Sequence, residues 1–154
     1  MAAKNSGEKL IASNKKALHD YFVLQKLEAG IELMGTEVKS LREGKANLKD
    51  SYVGFDRGEA YLIAAHISPY SHGNIANHAP ERKRKLLLHK REIDKLRAQV
   101  QEKGLTVVPL RLYFKGGHVK TEIAVVRGKK LYDKRETEKR REQEREEAAA
   151  MKVR

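Results

Sequence analysis

Residues 105–127 read LTVVPLRLYFKGGHVKTEIAVVR. Two runs rich in β-branched and aromatic residues, 105–115 and 119–127, flank Gly116-Gly117. A glycine pair supplies the positive φ angles of a two-residue hairpin turn, so the stretch reads as a β-hairpin. Strand alternation puts Leu110, Leu112 and Phe114 on one side and Arg111, Tyr113 and Lys115 on the other. In the partner strand Val119, Thr121, Ile123 and Val125 share a face.

The same period of two runs through 21–33. Odd positions are Tyr21, Val23, Gln25, Leu27, Ala29, Ile31 and Leu33, and even positions turn polar after Leu24. This predicts a long strand with one buried face, in which Gly30 marks a bulge. Thr36 then reads as the N-cap of a short helix closed by a left-handed Gly44. Runs 52–55 and 60–67 read as strands joined by the turn Asp56-Arg57-Gly58-Glu59, and 68–80 as a long loop. A helix follows the basic run Arg82-Lys83-Arg84-Lys85 and extends to about Lys103, with Leu86, His89, Ile93, Leu96 and Val100 on one stripe. Strands at hairpin spacing with helices outside predict a mainly β fold with flanking helices, an OB-like antiparallel β-barrel.

Beyond Gly128 the pattern changes. Residues 134–147 contain no Val, Ile, Leu, Met or aromatic side chain. They do carry opposite charges at helical spacing: Glu136 with Arg140, Arg140 with Glu144, Glu142 with Arg145. Three parts are expected: a flexible 1–13, a folded 14–128, and a charged tail over 129–154 that is disordered alone and helical when a charged partner holds it.

The chain has 154 residues, a net charge of +12, and no cysteine. Such a surplus attracts polyanions before specific contacts form, which favours nucleic acid as the partner; alternatively it only keeps the chain soluble. No apolar run approaches the roughly 18 residues of a membrane span, and no stretch reads as a signal peptide, so a cytoplasmic protein without a membrane partner is expected. The absence of cysteine excludes disulfides and thiolate metal sites. His66, His72 and His78 recur every six residues without an accompanying carboxylate, which is a poor metal pattern, and no cofactor is expected. No nucleophile–base pairing or phosphate-binding glycine loop gives an enzyme reading any support.

Several constellations suit RNA. Asn14, Lys15 and Lys16 with His19 and Tyr21 offer an amide, cations and flat rings; equally, they form a polar entry to a strand with Tyr21 in the core. Arg82, Arg84 and Lys85, with Lys90 and Arg91, surround Leu86-Leu87-Leu88 and offer a phosphate surface or a solvated helix face. Leu87 lies off the apolar stripe and either packs on an unstacked base or caps a minor cluster. Glu28, on the outward face of its strand, is a salt-bridge partner or an acceptor for base amino groups. At the tail junction, Lys129 and Lys130 precede Tyr132, Asp133, Lys134 and Arg135, an aromatic within a basic segment.

These segments together resemble the SmpB (SsrA-binding protein) family. The resemblance runs over Asn-Lys-Lys-Ala at 14–17, His-Asp-Tyr at 19–21, Glu-Ala-Gly at 28–30 and Gly-Thr-Glu-Val-Lys-Ser-Leu-Arg at 35–42. It continues through Gly-Lys-Ala-Asn at 44–47, Arg-Lys-Leu-Leu-Leu at 84–88, Gly-Lys-Lys at 128–130 and Asp-Lys-Arg at 133–135. It implies an OB-like barrel that holds the tRNA-like domain of transfer-messenger RNA through Asn14, Glu28, Leu87 and nearby cations. It also implies delivery to stalled ribosomes, in one complex with elongation factor Tu. The tail would enter the empty mRNA channel, with Asp133, Lys134 and Arg135 near the decoding centre. Where many relatives have His before that triplet, this chain has Tyr132, which keeps stacking and removes a protonation role. Met151, after three alanines, matches the apolar position near the end of family tails. An unrelated ribosomal or RNA-chaperone OB protein binding single strands is the competing reading.

Overall fold

In the computed structural model, which describes residues 7–72, 77–102 and 104–129, the 105–127 hairpin supplies the second and third strands of a seven-stranded sheet. Strands β8 (Leu105–Lys115) and β9 (His118–Gly128) pair antiparallel through most of their length. Gly116 and Gly117 have φ of 57° and 81°, the pair of positive angles that a tight hairpin needs. Elsewhere in the sheet, β2 (Tyr21–Ile31) pairs with β9, and β1 (Glu8–Ser13) pairs with β8. The end of β2 turns to a new neighbour, β7 (Arg84–Leu87), through Gly30 opposite Leu87 and Ile31 opposite Leu86. Strand β5 (Glu59–Ile63) follows, then β4 (Tyr52–Asp56). The order is β1-β8-β9-β2-β7-β5-β4, with β3 (Ala46–Asn47) and β6 (His66–Ile67) forming a separate pair. Edge strands β1 and β4 are not hydrogen-bonded to each other, so the sheet is open and the expected barrel is not closed.

Helices α1 (Lys15–Asp20), α2 (Gly35–Arg42) and α3 (Lys90–Val100) flank the sheet. Ile93 and Leu96 of α3 are buried with Leu62, Leu86, Val107, Leu112, Ile123 and Val125 in the main core. A smaller core lies on the opposite face, where Ala17 of α1 covers Val108, Leu110, Ala124 and Val126.

Two bulges make this two-sided arrangement possible, and both depart from the sequence reading. Along β2 the register slips between Val23, opposite Val126, and Gln25, opposite Val125. The bulge is therefore at Leu24 and not at Gly30, and Val23 joins the smaller core while Leu27 and Ala29 join the main one. Along β8 the slip lies between Pro109 and Arg111. Leu110 consequently faces the smaller core, away from Leu112. Pro109, which has no N–H for the ladder, sits where the ladder is interrupted.

Other boundaries also move. Within the 1–13 stretch expected to be flexible, Glu8–Ser13 forms an edge strand paired with β8, and residues 1–6 lie outside the described residues. The run 60–67 is split at Ala64, whose φ is 66°. Arg84–Leu87 is a strand, so the basic run does not open a helix, and Leu86 reaches the core from β7 and not from α3. The N-cap of α2 is Met34, whose amide donates to Glu37 Oε1 at 2.7 Å. Thr36 instead pairs with His78, Oγ1 to Nδ1 at 2.9 Å.

Glu37 and Arg84 are completely buried. Arg84 donates Nε to Glu37 Oε2 at 2.6 Å, Nη1 to the Ala65 carbonyl at 2.7 Å and Nη2 to the Pro80 carbonyl at 3.0 Å. Arg82 Nη2 reaches Glu37 Oε1 at 2.7 Å. Burial alone would raise the Glu37 carboxyl, but hydrogen bonds from Arg82, the Met34 amide and Arg84 hold it below its ordinary value of 4.5. Its stabilisation is therefore complete above that ordinary value and is lost as pH falls through the lower folded value. Glu37→Ala leaves Arg84 uncompensated in the core and is expected to cost about 3–5 kcal/mol in urea unfolding. A loss of less than roughly 1 kcal/mol, the scale of a surface pair, would contradict this account.

Candidate nucleic-acid interface

Alternation along β9 puts Lys120, Glu122, Ala124 and Val126 on one face of the sheet. Helix α1 covers the Ala124–Val126 end of that face. The Lys120–Glu122 end carries a charged network. Tyr113 is buried, although it alternates outward between Arg111 and Lys115. The Arg111 guanidinium lies 4.3 Å from its ring centre. Arg111 is itself held by Glu8 at 3.3 Å and Glu122 at 3.5 Å. The Tyr113 hydroxyl donates to Glu28, and Lys115 Nζ stands 3.3 Å from the same carboxylate oxygen. The Tyr113 hydrogen bond is the largest effect lowering the Glu28 carboxyl below its ordinary value, with Lys115 and Lys120 adding to it. Burial and the Glu28 hydrogen bond raise the phenol of Tyr113 in turn. Glu28 is thus an ionised carboxylate of fixed orientation, with its other oxygen free of any described protein hydrogen bond.

Beside Glu28 lies a groove of about 490 Å³, bounded by Gly30, Lys85, Leu87, His89 and Lys120, with Glu59 and Glu92 also on its wall. Leu87 stands at its margin with 51% of its surface exposed. A Cβ placed on Gly30 would lie 3.2 Å from Leu87 Cβ, a tight contact that would require Leu87 to give by a few tenths of an ångström, so the glycine eases the close approach of β7 to β2 here. The sequence reading of Gly30 as a bulge is replaced by this close approach.

The structure brings Glu28, Lys85 and Leu87 together at this groove. It does not bring α1 there: Tyr21 and Glu28 are seven residues apart on one strand, about 23 Å. Lys15 and His19 are exposed on α1, His19 against Asp20 at 3.0 Å, and Lys16 is paired with Asp50 at 2.8 Å. Asn14 and Arg84, both expected on the binding surface, are buried. Asn14 caps α1 by accepting from the Ala17 amide at 3.1 Å and donates to the carbonyls of Pro109 at 2.9 Å and Leu48 at 3.3 Å. Arg82 is partly exposed but committed to Glu37. Lys85 is 3.8 Å from Glu59, and Lys129 lies 5.3 Å from the Phe22 ring. Lys130, Tyr132, Asp133, Lys134, Arg135 and Met151 lie outside the described residues. Sequence reasoning missed Arg111, Tyr113 and Lys120. The outward alternation of 111, 113 and 115 was a signal, but their meeting with Glu28 depends on the register of three strands.

The chain matches the family model for the SmpB protein over residues 11–153. It belongs to the SmpB family. An SsrA-binding protein of Geotalea uraniireducens is 60% identical over 96% of this chain and 97% of the relative. One from Syntrophobacter fumaroxidans is 61% identical over 90% of this chain and 86% of its own length. A solved SmpB chain, described as "tmRNA-SmpB: a journey to the center of the bacterial ribosome", is 50% identical with a TM-score of 0.67. That similarity covers 77% of this chain and 83% of the solved one.

In this SmpB-family chain Asn14 is a structural residue. Asn14→Ala removes a cap and two buried donations and should lower stability by about 1–3 kcal/mol, read by urea unfolding. Unchanged stability would return Asn14 to the surface. Tyr113→Phe removes the main hydrogen bond on Glu28, so the Glu28 carboxyl should titrate at higher pH than in the wild type. The Glu28 side-chain carbon resonance, followed through acid titration, checks this; an unmoved midpoint would contradict the network.

Proposed function

We propose that this protein is an RNA-binding adaptor of trans-translation: it binds transfer-messenger RNA and brings it to stalled ribosomes. The similarity to SsrA-binding proteins across nearly the whole chain carries this reading. A basic chain with a pre-oriented carboxylate, an exposed leucine and flanking lysines on one open face supplies suitable chemistry. The lysines neutralise phosphates, Glu28 accepts from base amino groups or a ribose hydroxyl, and Leu87 packs on a base or sugar. Asn14 acts indirectly by fixing the α1 start, which presents Lys15, Lys16 and His19 along the same face. Arg84 acts indirectly by fixing β7.

In this reading the seven-stranded sheet is an OB-like barrel left open between β1 and β4. Residues 14–128 are the body that holds the tRNA-like domain, and 129–154 are the tail that enters the empty mRNA channel. There Asp133, Lys134 and Arg135 lie near the decoding centre, Lys129, Lys130 and Tyr132 bind the ribosome beside them, and Met151 anchors the end. Elongation factor Tu shares the delivery complex, the work is done in the cytoplasm, and the protein performs no catalysis itself. Among the described residues no helix is long and apolar enough to cross a membrane.

Two measurements test this division. Affinity for the isolated tRNA-like domain should fall by about tenfold or more between roughly 50 and 200 mM salt, because several phosphate contacts release counterions. A flat response would remove the basic surface from the interface. Truncation after Gly128 should preserve most binding to the RNA and abolish tagging on stalled ribosomes. A truncated protein that tags normally, or one that no longer binds the RNA, would refute the split between body and tail.

A further inference from the structure

We propose that Leu87 is a wedge between two base-sized clefts, and that the second cleft takes an unpaired nucleotide adjacent to the one held at Glu28. This rests on the reading above, in which the RNA occupies the Glu28 face.

The second cleft is lined by Leu87 but not by Glu28, and takes its other walls from the start of α2 and the tip of the β8–β9 hairpin. It has a volume of about 320 Å³ and is walled by Leu33, Val38, Leu87 and Val119, with His118 and Lys120 also lining it. Both clefts fall within the roughly 300–1,000 Å³ range of small-ligand sites. They share Gly30, Leu87 and Lys120. Leu87 is thus the partition, and Lys120 can serve the phosphate that joins a nucleotide in one cleft to a nucleotide in the other.

Leu87 is held in this position. Its strand partner is Gly30, and its Cβ and Cδ1 lie 3.2 and 3.4 Å from where a Gly30 Cβ would stand, so the side chain already fills the space over that glycine. Its neighbour Leu86 is buried in the core, so alternation along β7 directs Leu87 outward. Aliphatic side chains inserted between successive bases are an established way of splaying a stack. Each of two splayed bases would gain one face of Leu87 as apolar cover.

The two clefts differ in chemistry. The first offers the Glu28 carboxylate, beside Glu59, which is paired with Lys85, and Glu92, which accepts from the His89 amide, and so selects donors. Nothing lining the second carries a carboxylate, and its walls are mostly aliphatic. It would hold a base by packing on its faces, with little preference among bases. Continuity with the Glu28 groove and the shared lysine favour RNA over the chain's own tail or a second copy as the occupant.

The test uses the full-length protein and a transcript of the tRNA-like domain carrying 2-aminopurine at successive unpaired positions. Two adjacent positions should change emission on binding wild-type protein. Val38→Phe fills the second cleft; it should silence one of the two and weaken binding by roughly tenfold, with an unchanged urea midpoint. Glu28→Gln reports separately on the first cleft. If Glu28→Gln weakens binding but Val38→Phe does not, the second cleft holds no nucleotide and the wedge is refuted while the adaptor reading stands. If Val38→Phe impairs only tagging on ribosomes, the cleft belongs to the tail and the proposal fails. If neither substitution affects binding, the RNA lies elsewhere, and the wedge falls together with the assignment of the RNA to the Glu28 face. Should Val38→Phe not fold, the wild-type scan still decides, because fewer than two adjacent responding positions overturns the wedge.

Discussion

The buried Glu37–Arg84 pair is the constraint on which the face carrying Glu28 and Leu87 depends. A guanidinium with no exposure to water is tolerable only when its donors are satisfied, and here they reach the Glu37 carboxylate and two backbone carbonyls. Those partners belong to α2, to the link between β5 and β6, and to the end of the loop before β7. A single side chain therefore sets where four pieces of chain meet. Glu37 is ionised by the same contacts, and its second arginine, Arg82, donates also to the Glu32 carbonyl just beyond β2. The position of β7 against β2 follows, and Leu87 is three residues along that strand from Arg84.

From that anchor the chemistry of the open face follows in short steps. Leu86 is buried, so alternation along β7 turns Leu87 outward, and Gly30, lacking a side chain, leaves Leu87 room to lie over it. The register of β2, β9 and β8 brings Tyr113 beneath Glu28, and Arg111 stacks over the phenol. A carboxylate set among lysines would ordinarily swing between them. Here a buried hydroxyl holds it. The result is a fixed acceptor beside an apolar edge, in a groove lined by Lys85 and Lys120 and also by Glu59 and Glu92, which suits nucleotides rather than phosphate alone.

The sequence made the hairpin legible because Gly116-Gly117 and the alternation on both sides agree. It also made Glu28 legible as an outward residue, because Glu28 falls on the polar positions of an alternating strand; Leu87 was set apart only by lying off a helical stripe, and its exposure comes instead from alternation along β7. It could not place Asn14 or Arg84. An amide or a guanidinium in a polar segment looks like surface until its buried partners are known, and those partners are 34–95 residues away for Asn14 and 19–47 for two of the Arg84 contacts. The bulges at Leu24 and Leu110 were hidden for a related reason. Apolar residues continue on both sides of each, and only the smaller core under α1 explains why the pattern changes face. The closed barrel was an extrapolation from strand spacing, which does not report whether the edge strands pair.

The central claim is that RNA is read on the face organised by Glu28, Gly30 and Leu87. Amide chemical-shift mapping during titration with the isolated tRNA-like domain tests it most directly. The account expects the largest changes at Glu28, Gly30, Leu87 and Lys120, with smaller changes along α1 and little at the β4–β5 hairpin. Changes concentrated on that hairpin or on α3, with Glu28 and Leu87 unmoved, would contradict it.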